Sequence, residues 1–250
     1  MKVVENTSKV AGTSKVQKLN KRKSASNTGD AKIFADGVSF YKLFWIFVII
    51  SVLGSFYEQI LHFVATWFST GGLSFELRQG VIYGPFNTIY GTGAVVLTLL
   101  FAKKDYPKWK TFLIGAASMG VVEVICSLGF EYVLGGKSWN YSDHPLNVDG
   151  RTSVPVMMVW GAMAVLFAYY VYPFLSKWIE KIPYKQGIAF TKILVIFMAL
   201  NITISWTALI RQNLRHHDVN PITPIGEFYD DYYSDEFLIQ YYPNINRGRV

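Results

Sequence analysis

Three glutamates, Glu58, Glu123 and Glu131, lie inside long apolar stretches of the chain. A charge at membrane depth costs about 2.5–3.5 kcal/mol on insertion scales, so each needs a compensating partner or a task. Two carboxylates in a low dielectric hold protons tightly and can bind a proton, a cation or an amine. At ~1.5 Å per helical residue, Glu58 falls about 22 Å beyond residue 43 and Glu123 about 18 Å beyond residue 111, so the two are expected at one depth. Glu123 and Glu131, eight residues apart, differ by ~80° around a helix, and both can face a bundle interior. The plainer alternative is that each is held in a structural network by a tyrosine, an arginine or backbone groups, and for Glu131, nearer the interface, that alternative leads. His62 follows Glu58 by four residues and shares its helical face, as a proton relay or as an interfacial ring. His216 and His217 are adjacent without further ligand spacing, so neither a metal site nor a cofactor is expected.

Two segments near these glutamates carry further polar groups. Residues 78–93 hold four glycines and Pro85, together with Tyr83, Asn87 and Tyr90. Glycines there allow tight helix packing; the sharper alternative is an unwound or re-entrant stretch that lines a cavity, with those three side chains as ligand contacts. Residues 139–151 are dense in turn formers and include Asp143, His144, Asp149 and Arg151. They form either an ordered structural loop or an acid, base or anion clamp, although no Ser/His/Asp order is recognisable. The run Gly135-Gly136-Lys137-Ser138 resembles the end of a phosphate-binding loop, but the glycine needed five positions before the last is Glu131. No nucleotide site is expected, and any ATPase that drives this protein must be another chain.

The elements that position these residues are membrane spans. The 250 residues are 51% hydrophobic and only 16% charged, where a soluble domain is about 25% charged, which disfavours an ordinary soluble enzyme. Apolar runs at residues 43–68, 85–102, 111–134, 152–176 and 187–210 are long enough to cross ~30 Å of hydrocarbon as helices. The expected fold is therefore all-α, a polytopic bundle of about five transmembrane helices in the cell membrane. Sixteen Lys and Arg fall before the first span and in the loops after the second and fourth, against seven on the other side, with Lys192 within the fifth span. That asymmetry places the N-terminus in the cytoplasm and the C-terminus outside. It also assigns much of the net charge of +7 to topogenesis and lipid headgroups, so no nucleic-acid partner is expected. Residues 1–39 read as a disordered basic cytoplasmic tail, 40–213 as the membrane domain and 214–250 as an acidic, aromatic tail outside. That second tail either packs its tyrosines on the bundle mouth or stays solvated. The single cysteine, Cys126, lies inside an apolar run and indicates neither a disulfide nor a zinc site.

The order Glu58, Tyr83-Gly84-Pro85 to Tyr90-Gly91, Glu123, Trp139-x-Tyr141-Ser142, Pro145-x-Asn147, Gly150-Arg151 and Trp160-Gly161 resembles the bacterial CmpB-like family of type IV ABC-transporter permeases, over about residues 40–175. The family pattern suggests a proline where Thr88 stands and an aspartate at Asn140. The resemblance implies a transport role without naming a substrate or a catalytic residue. The expected function is thus a permease-like subunit with an outward cavity that draws on Glu58, Glu123, Glu131, Tyr83, Asn87, Tyr90 and Arg151. Its expected partners are membrane lipids, with a separate ATPase and a second copy of the chain both admitted. Two other classes stay open: an enzyme acting on lipid or envelope precursors at the outer leaflet, and a non-catalytic membrane scaffold.

Overall fold

The computed structural model describes residues 32–243. The basic tail expected over residues 1–39 falls almost wholly outside the described residues, as do Arg247 and Arg249. In a bilayer the backbone has no water to bond, so an apolar run satisfies its N–H and C=O groups internally as helix. Helix α1 (Phe40–Thr70) starts where the Ser39 side chain accepts from the Lys42 N–H, and stops at Gly71 in the left-handed conformation. Helix α3 (Lys108–Leu134) ends the same way at Gly135, which needs that conformation (φ 72) to close the last turn. Helix α4 runs over Val154–Glu180, with one π turn at Phe167–Val171 just ahead of Pro173, whose ring cannot donate to the regular ladder. Helix α5 (Tyr184–Arg215) is the longest, at 32 residues.

Among the described residues these four helices are long and apolar enough to cross a membrane, and a shorter apolar helix, α2 (Thr88–Phe101), stands with them. The fold is all-α and polytopic, with one two-residue strand pair among the described residues, β1 (Asn147–Val148) against β2 (Thr152–Ser153). The bundle faces lipid with side chains such as Ile60, Ile125, Ile193 and Leu200, all exposed. Such a surface would be a liability in water and is natural in hydrocarbon. Internally, α3 lies along α4 and α1 along α2. One apolar core joins Ile46, Leu97, Met119 and Phe167; a second, at the other end, joins Ile82, Leu134, Leu209 and Leu238.

The second span differs from its sequence expectation. Helix begins at Thr88 rather than at 85 and lasts 14 residues, because Pro85 and the left-handed Gly84 (φ 86) do not continue a helix backward. The irregular backbone ahead of it is satisfied from the side. Ser205 Oγ accepts from the Ile82 N–H, Asn201 exchanges bonds with both backbone groups of Tyr83, and Ser55 Oγ donates to the Arg78 carbonyl. The Asn87 N–H reaches the Ser51 carbonyl at 2.9 Å. Non-helical backbone survives at membrane depth only when protein covers it in this way.

The glycines of this region also pack. A Cβ on Gly91 would lie 2.2 Å from Ser51 Oγ and 2.6 Å from the Phe47 carbonyl oxygen, and a carbonyl cannot step aside without parting α1 from α2. Gly91→Ala is therefore expected to destabilise the protein by about 1–3 kcal/mol, read as a lower unfolding temperature in detergent. Gly129→Ala, where nothing lies within 4 Å, should be neutral to stabilising, since alanine is the better helix former. Equal behaviour of the two variants would refute the close approach as a source of stability.

Candidate functional site

Helices α1, α3 and α5 finish, and α2 and α4 begin, at one end of the bundle. Glu58 and Glu123 sit twelve and eleven residues before the ends of their helices, about 18 and 17 Å along the axis, so the two carboxylates do share a depth. Between the helices at that level lies a cavity of about 400 Å³, walled by Glu58, Asn87, Tyr90 and Glu123 among others. Each helix contributes the residue that its register turns inward.

The Tyr90 hydroxyl donates to Glu58 at 2.6 Å, and the rings of Tyr57 and Trp160 stand 5.9 and 5.7 Å from the Tyr90 ring. Glu123 is 4% exposed. Its carboxylate accepts from the Thr152 hydroxyl at 2.6 Å, and Trp160 and Tyr141 aim further donors at it. Tyr141, in the loop between α3 and α4, lines the cavity and feels the charge of both acids. Burial, then Glu123 and Glu58, push its phenol well above the ordinary range, so it remains a donor at every physiological pH.

The loop is built to present these groups. Asp149 and Gly150, both at positive φ (51 and 66), turn β1 back on β2 and bring Thr152 under Glu123. Gly150 is required twice over, since a Cβ there would also meet Asn140 Oδ1 at 2.3 Å. Arg151, 8% exposed, pins the loop to α3: it pairs with Glu131 at 2.5 Å and Asp149 at 2.9 Å and donates to Ser127 at 3.2 Å. Trp139 donates to the Arg151 carbonyl at 2.8 Å.

Of the residues singled out from sequence, Glu58, Glu123, Asn87 and Tyr90 line the cavity, while Glu131, Arg151 and Tyr83 are not among its lining residues. Glu131 and Arg151 face each other instead. Tyr83 holds its hydroxyl 2.8 Å from that of Tyr233. His62 accepts from Arg78 at 2.8 Å and lies 3.5 Å from Glu76, so Glu58 takes Tyr90 rather than His62 as its partner. Sequence reasoning did not single out Thr152, Tyr141 and Trp160 as contacts of the acids. Tyr141 and Trp160 lay in recognised motifs and could have been found; Thr152 depends on hairpin register, which no spacing in the sequence reveals.

Residues beyond α5 close the cavity's outer wall. Helices α6 (Pro224–Tyr232) and α7 (Asp235–Tyr241) fold back, and Tyr241, Tyr242 and Pro243 join the lining. Arg211 grips Asp230 with two bonds of 2.8 and 2.7 Å, and Arg215 bonds Asp230 and Asp235. Arg211, then Arg215, hold the Asp230 carboxyl below its ordinary range. A depressed folded-state value means that this contribution is complete above the unfolded carboxyl's pKa, ~3.9, and is lost as pH falls through the folded value. Protection of the amides of residues 224–241 against hydrogen exchange, taken relative to the intrinsic exchange rate at each pH, should thus stay constant from pH 7 down to about 4 and fall only below. Loosening between pH 7 and 5 would contradict it.

The sequence matches, over residues 45–206, the family described as "Putative ABC-transporter type IV". The chain belongs to this family. The match takes in α2, α3 and α4 whole and most of α1 and α5, and so includes both cavity glutamates and the loop that covers them. With its long apolar helices, this family member is a multi-pass protein of the cell membrane. No curated protein and no solved structure matches the chain. The two departures from the expected family pattern have simple structural readings. Thr88 is the first residue of α2, the position where proline is most at home in a helix. Asn140 accepts from the Ser142 N–H and hydroxyl through Oδ1 at 3.0 and 2.6 Å, a turn that an aspartate oxygen would make equally well.

Proposed function

We propose that this chain is a permease-like subunit of a transporter, with the cavity between Glu58 and Glu123 opening to the outside as the place where cargo is held. The observation that carries the reading is the convergence of two intramembrane carboxylates, from different helices, on one cavity under an ordered loop. Ionisable residues inside a membrane that face a bundle interior mark ion or substrate paths. The distribution of Lys and Arg supports the orientation, since the cavity lies at the end of the bundle poor in both. The family's description supports the coupling to ATP, which a separate ATPase chain supplies in this reading. Five helices are few to enclose a path, so a second copy of the chain completes the assembly.

Affinity purification of the tagged full chain in mild detergent should recover an ATPase chain or a second copy. Recovery of a lone monomer in several mild detergents would overturn the proposal. For orientation, a reporter placed after Val250 should be active outside the cytoplasm, and one inserted between Lys103 and Lys110 active inside. A cytoplasmic C-terminus would put the cavity on the other face.

A further inference from the structure

We infer that the cavity between Glu58 and Glu123 is a binding site for an organic ammonium, a quaternary or alkylated amine of choline to tetraethylammonium size. The inference deepens the transport reading and rests on it for the ligand's role as cargo, while binding itself is measured separately.

Size comes first. A proton needs no volume, and a bare metal ion needs only a close shell of oxygens, whereas about 400 Å³ fits a small organic molecule. The wall chemistry then selects the sign. Besides the two carboxylates, the charged group on the wall is Arg78, and it is paired with Glu76 at 3.1 Å and bonded to His62. A cation that enters can therefore draw both acids into their charged form, whereas an anion meets no free positive partner and a neutral guest has no use for them.

The aromatic groups narrow the choice further. Tyr57 and Trp160 pack on the Tyr90 ring, whose hydroxyl bonds Glu58, and Phe130 carries Trp139 and Trp206 at ring separations of 6.0 and 6.1 Å. All six line the cavity. Ring faces attract a cation within ~6 Å of their centres, most strongly when it is desolvated, and they favour bulky ammonium groups over small hydrated ions. One further acceptor waits on the wall: Asn87 Oδ1 is buried and has no hydrogen-bond partner. It would take an N–H or O–H carried by the guest, as an alkylated amine or a choline hydroxyl provides.

The test uses the full chain in lipid nanodiscs, following the fluorescence of the cavity tryptophans. Choline chloride and tetraethylammonium chloride should each change it saturably, and sodium chloride at the same ionic strength should not. The uncharged isostere of choline, 3,3-dimethylbutan-1-ol, should bind far more weakly. Glu58→Gln and Glu123→Gln, each shown by its melting curve to be folded, should weaken ammonium binding by about tenfold or more. No saturable change with either ammonium, equal binding of the alcohol, or unchanged binding in both variants would overturn the inference. Recovery of an ATPase with no ammonium binding removes the ligand class and leaves the transport reading standing. Ammonium binding by a chain that purifies only as a monomer keeps the site and removes the transport reading.

Discussion

Alanine at Glu123 is expected to lower stability by about 1–3 kcal/mol, and glutamine to lower it little. The carboxylate is buried and accepts from Thr152, with Trp160 and Tyr141 directed at the same oxygens. Alanine leaves those donors facing a void, and a buried donor without an acceptor loses the full cost of its dehydration. Glutamine keeps the shape and one acceptor oxygen while removing the charge, and the Thr152 hydroxyl can rotate to suit. Unfolding curves of the two variants in the same nanodiscs check this. If glutamine destabilised as much as alanine, both carboxylate oxygens would be needed as acceptors for the converging donors, and one amide oxygen would not replace them.

The larger stability effect is expected at the other end of the bundle. Lys42 is fully buried on α1, and its ammonium bonds the Ser176 carbonyl, the Ser176 hydroxyl and the Glu180 carboxylate of α4. Removing one partner of a buried pair costs about 3–5 kcal/mol, because the other charge is stranded. Glu180 is 32% exposed, so water reaches its side of the pair and Glu180→Ala should fall near the low end, about 3 kcal/mol. Combining it with Lys42→Met should recover most of the loss, since an apolar side chain of similar length fills the space without needing a partner. A double-mutant cycle on unfolding temperature reads the coupling directly. Glu180→Ala melting with the wild type would show that Ser176 alone satisfies the lysine.

The fold was largely legible because a bilayer leaves the backbone few choices. Four of the five expected runs appear as long helices, each extending past its run at one end or both. The second was read from 85 because composition alone does not register that Pro85 and a left-handed Gly84 stop a helix growing backward past Thr88. Its glycines serve both readings made of them, as Gly91 packs against α1 while Gly84 turns irregular chain. The two deep glutamates were legible for the same reason as the helices, since charge in an apolar run stands out. Their partners were not. Thr152 reaches Glu123 across 29 positions, and Glu131, on the same helix as Glu123, turns to Arg151 of the covering loop. Such pairings follow from loop geometry set by Asp149 and Gly150, not from helical periodicity. The family resemblance drawn from motifs to about residue 175 stopped short of α5, which the family match carries through Trp206.

The brevity of α2 also has a consequence for the chamber wall. Fourteen residues rise about 21 Å, some 9 Å less than a ~30 Å hydrocarbon layer, while α1 and α5, at 31 and 32 residues, overshoot it. The shortfall is concentrated where bent backbone leads into Thr88, beside Asn87 and within reach of Glu58. Residues 78–87 make up that depth instead, tied to α1 through Ser51 and Ser55 and to α5 through Asn201 and Ser205. On this side the wall of the glutamate-lined chamber therefore hangs on a handful of side-chain bonds to backbone rather than on a helical ladder, and Asn201 and Ser205, far from the acids in sequence, are part of its frame.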